Sequence, residues 1–219
     1  MKRFIIIGLG TFGSGVAETL FEQGNEVIAV DLNEDNVDRI AARVTRAVAG
    51  DARDLRLLEK IGARDADAGI VSTGGDISAC VLATMALRDL DVGELYVKVI
   101  SNDHARIMKK IGVTETIFPE RESSINLAVR VSHSNALLNY VRLGSGFSLQ
   151  EMAVPNNWTG RSLRELQLRS RYGVAVIAIH DVILDQMIPV PDPDAPLKDS
   201  DTILVAGANE NLARITRID

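Results

Sequence analysis

The chain reads as an α/β protein: a doubly wound parallel sheet, followed by a small α+β domain. Three observations predict this. From Met1 to Pro119, short apolar, β-rich runs alternate with segments whose apolar residues recur every three or four positions. The first of these runs opens into a glycine turn, Gly8-Leu9-Gly10-Thr11-Phe12-Gly13, that leads straight into a helical pattern. Behind residue 138 the pattern changes to strand-rich segments with little helix between them.

Taken in order, Phe4-Ile5-Ile6-Ile7 is the first strand, and Val16, Ala17, Leu20 and Phe21 mark the face of the helix that Gly24 stops. Val27-Ile28-Ala29-Val30 is the second strand and ends on Asp31. Asn33 caps a helix over Glu34 to Arg43, with Val37, Ile40 and Ala41 on one face. Ala47-Val48-Ala49 runs into Gly50-Asp51, and Leu55, Leu58 and Ile61 form the next helix face, ended by Gly62. Gly69-Ile70-Val71-Ser72 leads to Thr73-Gly74-Gly75-Asp76 and to a helix over Ile77 to Leu90 that is apolar almost all round. Such a helix is expected to bury one side in the core and the other against a second subunit. Leu95 to Ile100 is a fifth strand, His104, Ile107, Met108 and Ile111 a helix face, and Thr116-Ile117-Phe118 a sixth strand. Pro119 opens an exit helix over about Glu120 to Leu138. Strands are then expected at Phe147 to Val154, Val174 to Ile179, Val182 to Ile188 and Thr202 to Ala206, with a short helix around Leu163 and a last one from Glu210 to Ile218. The expected boundary divides a Rossmann-like domain, 1–138, from an α+β domain, 139–219.

The order strand, glycine turn, helix, strand, acid is the order a dinucleotide-type phosphate site requires. Gly8 permits the tight turn, Gly10 lets the backbone approach a phosphate oxygen, and Gly13 lets the helix lie close to the sheet. The unpaired N–H groups at that helix start face the anion, an effect on the order of 0.3–2 kcal/mol. Asp31, at the carboxyl end of the neighbouring strand, is placed to accept hydrogen bonds from ribose hydroxyls, and it repels a 2′-phosphate.

Composition narrows the class. A net charge of −6 argues against a nucleic-acid surface. The single cysteine, Cys80, excludes an intrachain disulfide and fits a reducing compartment. No stretch approaches the roughly 18–20 apolar residues that span a bilayer, and no signal peptide is read. His104, His133 and His180 are scattered, without zinc spacing, and are expected to pack or to sit at the surface.

These motifs resemble the regulatory subunits of Trk/Ktr potassium-uptake systems, built from an RCK domain and a small C-terminal RCK domain. The resemblance is carried by Ile7 to Gly13, Val30-Asp31, Gly50-Asp51-Ala52, Ala66-Asp67, Val71 to Gly74, Val97-Lys98-Val99 and Phe118-Pro119-Glu120. It implies a cytosolic, dimer-based homo-oligomeric ring, usually an octamer. The ring is peripheral to the membrane through a KtrB/TrkH-like potassium-translocating subunit, and an adenine nucleotide (ATP, ADP, NAD or NADH) gates it. It further implies that Gly8, Leu9, Gly10, Thr11, Phe12 and Gly13 hold phosphates. Asp31 and Leu32 then take the ribose, Asp51 and Ala52 lie beside adenine, and Thr73 and Gly74 line the far side. Lys98 approaches phosphate or the dimer contact. Glu120 resembles an acid that helps to hold a divalent cation, and some relatives bind cyclic di-AMP between C-terminal domains, where Val176, Ile177 and Pro191 could line the groove. One departure is Thr11: relatives that separate ATP from ADP often carry arginine there, so a diphosphate ligand gains ground.

Bland readings stand beside these. Asp51 would equally cap the helix after it, Glu120 would equally favour a helix start, and Lys98 would equally be a solvated strand end. The competing functions are an NAD-dependent oxidoreductase, which needs an acid–base pair and a substrate pocket, and a nucleotide sensor serving another partner.

Overall fold

The computed structural model describes residues 1–132, 137–144 and 146–215. The chain divides into two compact units, Met1–Pro119 and Glu120–Asp219. This division falls earlier in the chain than the 138/139 boundary expected from the sequence.

The first unit runs β1 (Arg3–Ile7), α1 (Thr11–Glu22), β2 (Glu26–Asp31), α2 (Glu34–Ile40), β3 (Arg46–Ala49), α3 (Leu55–Ile61), β4 (Ala68–Val71), α4 (Ile77–Asp89), β5 (Glu94–Lys98), α5 (Asn102–Ile111) and β6 (Glu115–Ile117). The strands lie in the order β3-β2-β1-β4-β5-β6, and every pairing is parallel. Because side chains alternate along a strand, β1 feeds two cores. Ile5 and Ile7 pack with Leu58, Leu87, Leu95 and Met108, whereas Ile6 packs with Leu9, Ala17, Val37 and Ile40. Helices α3, α4 and α5 therefore cover one face, and α1 and α2 the other. That is why the strand sequences are continuous apolar runs. The chain reverses its winding between β1 and β4, the switch point at which such sheets open a crevice beyond the strand carboxyl ends.

Local chemistry fixes the boundaries. The side chain of Asn33 accepts from Asp35 N–H and caps α2. The N-cap of α3 is Asp54, whose carboxylate accepts from Arg56 N–H, so Asp51 is not the cap. Helix α4 buries Cys80, Ala83, Thr84, Ala86 and Leu87 and leaves Leu82 and Met85 exposed, which gives it the two apolar sides expected from its sequence.

The second unit runs α6 (Pro119–Ser132), β7 (Leu137–Gly144), β8 (Phe147–Ala153), α7 (Leu163–Leu166), α8 (Leu168–Tyr172), β9 (Val174–Asp181), β10 (Gln186–Pro189), β11 (Asp201–Ala208) and α9 (Asn209–Ile215). Its sheet is antiparallel, in the order β10-β9-β11-β8-β7. Met152, Trp158, Leu166, Leu168, Ile203, Val205 and Leu212 form its core.

Two expectations are corrected here. The exit helix ends its described course at Ser132, and Leu137 and Leu138 belong to β7, where backbone pairing with β8 replaces the helical ladder. His133 and Ala136 lie outside the described residues, as does the end of the last expected helix, 216–218. Val182 to Ile188 is not one strand. Buried Asp181 accepts from the N–H groups of Ile183 and Leu184, each at 3.1 Å, and so folds Val182-Ile183-Leu184 into the turn before β10. Helix α8 follows α7 after Gln167, which takes a left-handed conformation (φ 49°).

Asp181 is itself held by Lys198 Nζ at 2.6 Å, and this bond lowers its pKa below the ordinary carboxylate value. Pairing of this kind stabilises above the unfolded pKa of about 3.9 and is lost as pH falls through the lower folded value. Asp181→Asn should therefore lower the urea midpoint of the full chain at pH 7, and its difference from wild type should shrink on acidification below about pH 4. A difference that stays constant with pH would contradict this.

Candidate functional site

The site is built on the carboxyl edge of the first unit's sheet. As β1 ends, Gly8 turns with φ +89° and donates its N–H to Val30 O at 2.8 Å. A Cβ on Gly8 would meet Ser72 O at 2.3 Å, so the end of β4 presses directly on the turn. Five residues on, a Cβ on Gly13 would stand 1.8 Å from Gly8 O. Helix α1 can reach the sheet only because that position is glycine.

Gly10 is different. It sits at the N-cap of α1 in an extended conformation, and an added Cβ would meet nothing within 4 Å. No internal packing demands glycine at that position. No side chain caps this helix start, and its first turn carries no acidic residue. The N–H groups at the start of α1 are thus left for an anion, with the helix dipole behind them.

Asp31 ends β2 and is half-buried. Its Oδ2 accepts from Leu9 N–H at 2.6 Å and its Oδ1 from Asn33 N–H at 2.8 Å. The carboxylate thereby ties the glycine turn to the neighbouring strand. Each carboxylate oxygen has about two acceptor positions, so capacity remains for two ribose hydroxyls. Leu32, next along, is 71% exposed and takes no part in the core.

The loop after β3 is joined to this edge by Gly50 N–H, which donates to Asp31 O at 2.9 Å. In it, the Asp51 carboxylate accepts from Arg53 N–H (2.9 Å), Arg53 Nε (2.8 and 3.0 Å) and Arg53 Nη2 (2.6 Å). The guanidinium bond is the foremost reason that Asp51 lies below the ordinary carboxylate pKa. Ala52, between Asp51 and Arg53 in the chain, is buried in the core.

Thr73 is half-buried after β4, and its hydroxyl approaches Asp76 O at 3.4 Å, while Gly74 is exposed. Asp76 caps α4 by accepting from Ala79 N–H at 2.9 Å. Lys98 ends β5 with its Nζ 5.9 Å from the centroid of the Phe12 ring, which brings a cation beside the first turn of α1. His104 is buried in α5, and burial pushes its pKa down.

The first unit therefore brings together Gly8 to Gly13, Asp31, Asp51, Ala52, Thr73, Gly74 and Lys98 along one sheet edge. Glu120 belongs to the second unit, and among the described residues no group of three or more His, Cys, Asp or Glu gathers as metal ligands do. Arg53 also stands at this edge, held by Asp51. Its only signal in the sequence is the Asp-x-Arg spacing, which places a guanidinium beside a turn-forming carboxylate.

A parallel sheet in 3-2-1-4-5-6 order, with a glycine turn at β1 and an acid at the end of β2, defines a Rossmann-type domain with the features of a nucleotide site. Comparison with known proteins gives the family. The TrkA-N domain matches residues 4–119 and the TrkA-C domain residues 149–218. The chain is 32% identical over 216 residues to Ktr system potassium uptake protein A of Bacillus subtilis (strain 168), covering 97% of this chain and 95% of that protein. It is 33% identical over 219 residues to protein C of the same system and organism, covering 99% and 96%. Among solved structures, the GsuK RCK domain superposes with a TM-score of 0.66 at 16% identity, covering 99% of this chain and 47% of that one. A structure described as the GsuK channel bound to NAD gives 0.64 at 16%, covering 96% and 38%. At such identities the structural likeness speaks for the fold alone. The chain belongs to the Ktr/Trk family of potassium-uptake regulatory proteins, which sets aside the oxidoreductase alternative.

The glycine turn yields a contrast that can be measured. Gly13→Ala should destabilise the first unit by more than about 3 kcal/mol, because a backbone clash must be relieved. Gly10→Ala should leave the urea midpoint close to wild type while weakening nucleotide binding at least ten-fold in calorimetry. Equal effects of the two on stability would refute the distinction.

Proposed function

We propose that this chain is the nucleotide-sensing subunit of a potassium-uptake system, in which an adenine nucleotide on the edge of the first unit's sheet controls potassium flux through a separate membrane protein. The observation that carries the reading is Gly10: packing asks for no glycine there, while an uncapped helix start and a carboxylate with spare acceptor capacity stand beside it. The relatives named as potassium uptake proteins supply the partner class, a potassium-translocating membrane subunit. No described helix is long and apolar enough to cross a membrane, so the pore belongs to that partner in this reading.

In detail, Gly8 to Gly13 hold the phosphates, Asp31 and Leu32 the ribose, and Ala52 with the Asp51 loop borders the base. Thr73, Gly74 and Lys98 line the opposite wall, on the β4–β5 side of the switch point. Thr11 offers a hydroxyl where an arginine would pair with a terminal phosphate, which favours diphosphates such as ADP or NAD over ATP. Residues 1–138 act as the sensing part and 139–219 as the regulatory part of a dimer-based ring, cytoplasmic and held to the membrane by its partner. The exposed Leu82 and Met85 of α4 fit the contact between copies. Glu120 would join a divalent cation only within such an assembly, since no metal cluster forms among the described residues of one chain.

The test is direct. The full chain should bind ADP or NAD at micromolar concentration by calorimetry, and Asp31→Ala should weaken binding about ten-fold or more, as loss of a charged hydrogen-bond acceptor does. Thr11→Arg should raise the ratio of ATP to ADP affinity. Coexpression with its membrane subunit in cells that lack potassium uptake should restore growth at low potassium. Absence of binding to every adenine nucleotide would overturn the reading.

A further inference from the structure

Along the sheet edge the strand ends follow the order β1, β2, β3, and in the proposed reading phosphate, ribose and base follow the same order. Gly8 to Gly13 stand at β1, Asp31 at β2 and the Asp51–Arg53 turn at β3. Neighbouring strands are about 4.8 Å apart, so that turn lies roughly two strand spacings from the phosphate loop. It is on the base side.

What the turn can offer a base follows from its bonds. Both oxygens of Asp51 are engaged, by Arg53 N–H and Nε on Oδ1 and by Nε and Nη2 on Oδ2. A carboxylate so occupied has no ready position for an adenine amino group. The guanidinium, in turn, spends one edge on Asp51, while the Arg53 side chain keeps 46% of its surface exposed. A planar cation whose edge is held and whose body is open binds an aromatic ring by its face. Asp76, capping α4 after β4, also attracts this guanidinium. Arg53 thus feels carboxylates from loops on both sides of the β1–β2 edge, where the nucleoside is proposed to lie.

We propose that Arg53, fixed in plane by Asp51, covers the face of the adenine ring and positions the nucleotide in the cleft. This rests on the nucleotide reading given above. It replaces direct recognition of adenine by Asp51 with recognition through the arginine that Asp51 holds. The alternative is an exposed local ion pair, which contributes little to anything.

The experiment is a calorimetric series on the full chain with AMP, ADP, ATP and NAD, for wild type, Arg53→Ala and Arg53→Lys. Stacking of a base on a side chain is worth enough that Arg53→Ala should weaken every ligand about ten-fold. The factor should be the same across the series and nearly independent of salt. Arg53→Lys should recover little of the loss, because it restores charge without a planar face. Thermal unfolding of both variants should match wild type. Unchanged affinity in Arg53→Ala would overturn the proposal. So would a loss that grows with phosphate count, falls with salt and is rescued by lysine, since that pattern marks a phosphate contact. Wild type that binds none of the four would overturn the nucleotide reading as well, whereas wild-type binding with an unaffected Arg53→Ala would overturn only the role of Arg53.

Discussion

The first unit depends on one close approach: the backbone of Gly13 lies against the carbonyl of Gly8, with no room for a side chain between them. This contact brings α1 down onto the end of β1 and aims the start of the helix along the carboxyl edge of the sheet. Ser72, just after β4, also closes on Gly8. The turn is therefore held between the start of α1 and the end of β4, where the winding reverses. Everything proposed for the cleft follows from that clamp, because a helix start that is free to move cannot present its N–H groups to a phosphate at fixed geometry.

Asp31 is the second element of the same device. By accepting from Leu9 N–H it couples the turn to β2, and through Gly50 N–H the backbone of the same residue couples the β3 loop. One residue thus bridges the three strand ends on which phosphate, ribose and base would be read. Its hydrogen bonds fix the relative positions of the three strand ends.

Much of this was legible in the sequence, for physical reasons. A parallel strand buried on both faces must be apolar throughout, so Ile5-Ile6-Ile7 and Val27 to Val30 announce themselves. Gly8 and Gly13 are glycine because backbone atoms occupy the place of a side chain. The β–α–β order then left little choice of topology. The second unit was harder to read. Val182-Ile183-Leu184 has strand composition yet turns, because Asp181 satisfies two backbone donors that a strand would have given to a neighbour. Leu137 and Leu138 continue a helical pattern but lie in β7, where Leu137 pairs with Met152 of β8, as tertiary pairing overrides a weak local preference. Asp51 and Asp54 are indistinguishable as caps by residue type, and only the bond from Arg56 N–H identifies Asp54. Arg53 was invisible for the opposite reason: an exposed arginine carries no pattern until its partner is seen.

In the proposed reading the start of α1 receives a phosphate. Backbone hydrogen exchange over residues 9–14 of the full chain, followed with and without saturating ADP or NAD, tests it most directly. Exchange should slow at Thr11, Phe12 and Gly13 when nucleotide is bound. Saturated binding with exchange at those three amides unchanged would contradict it.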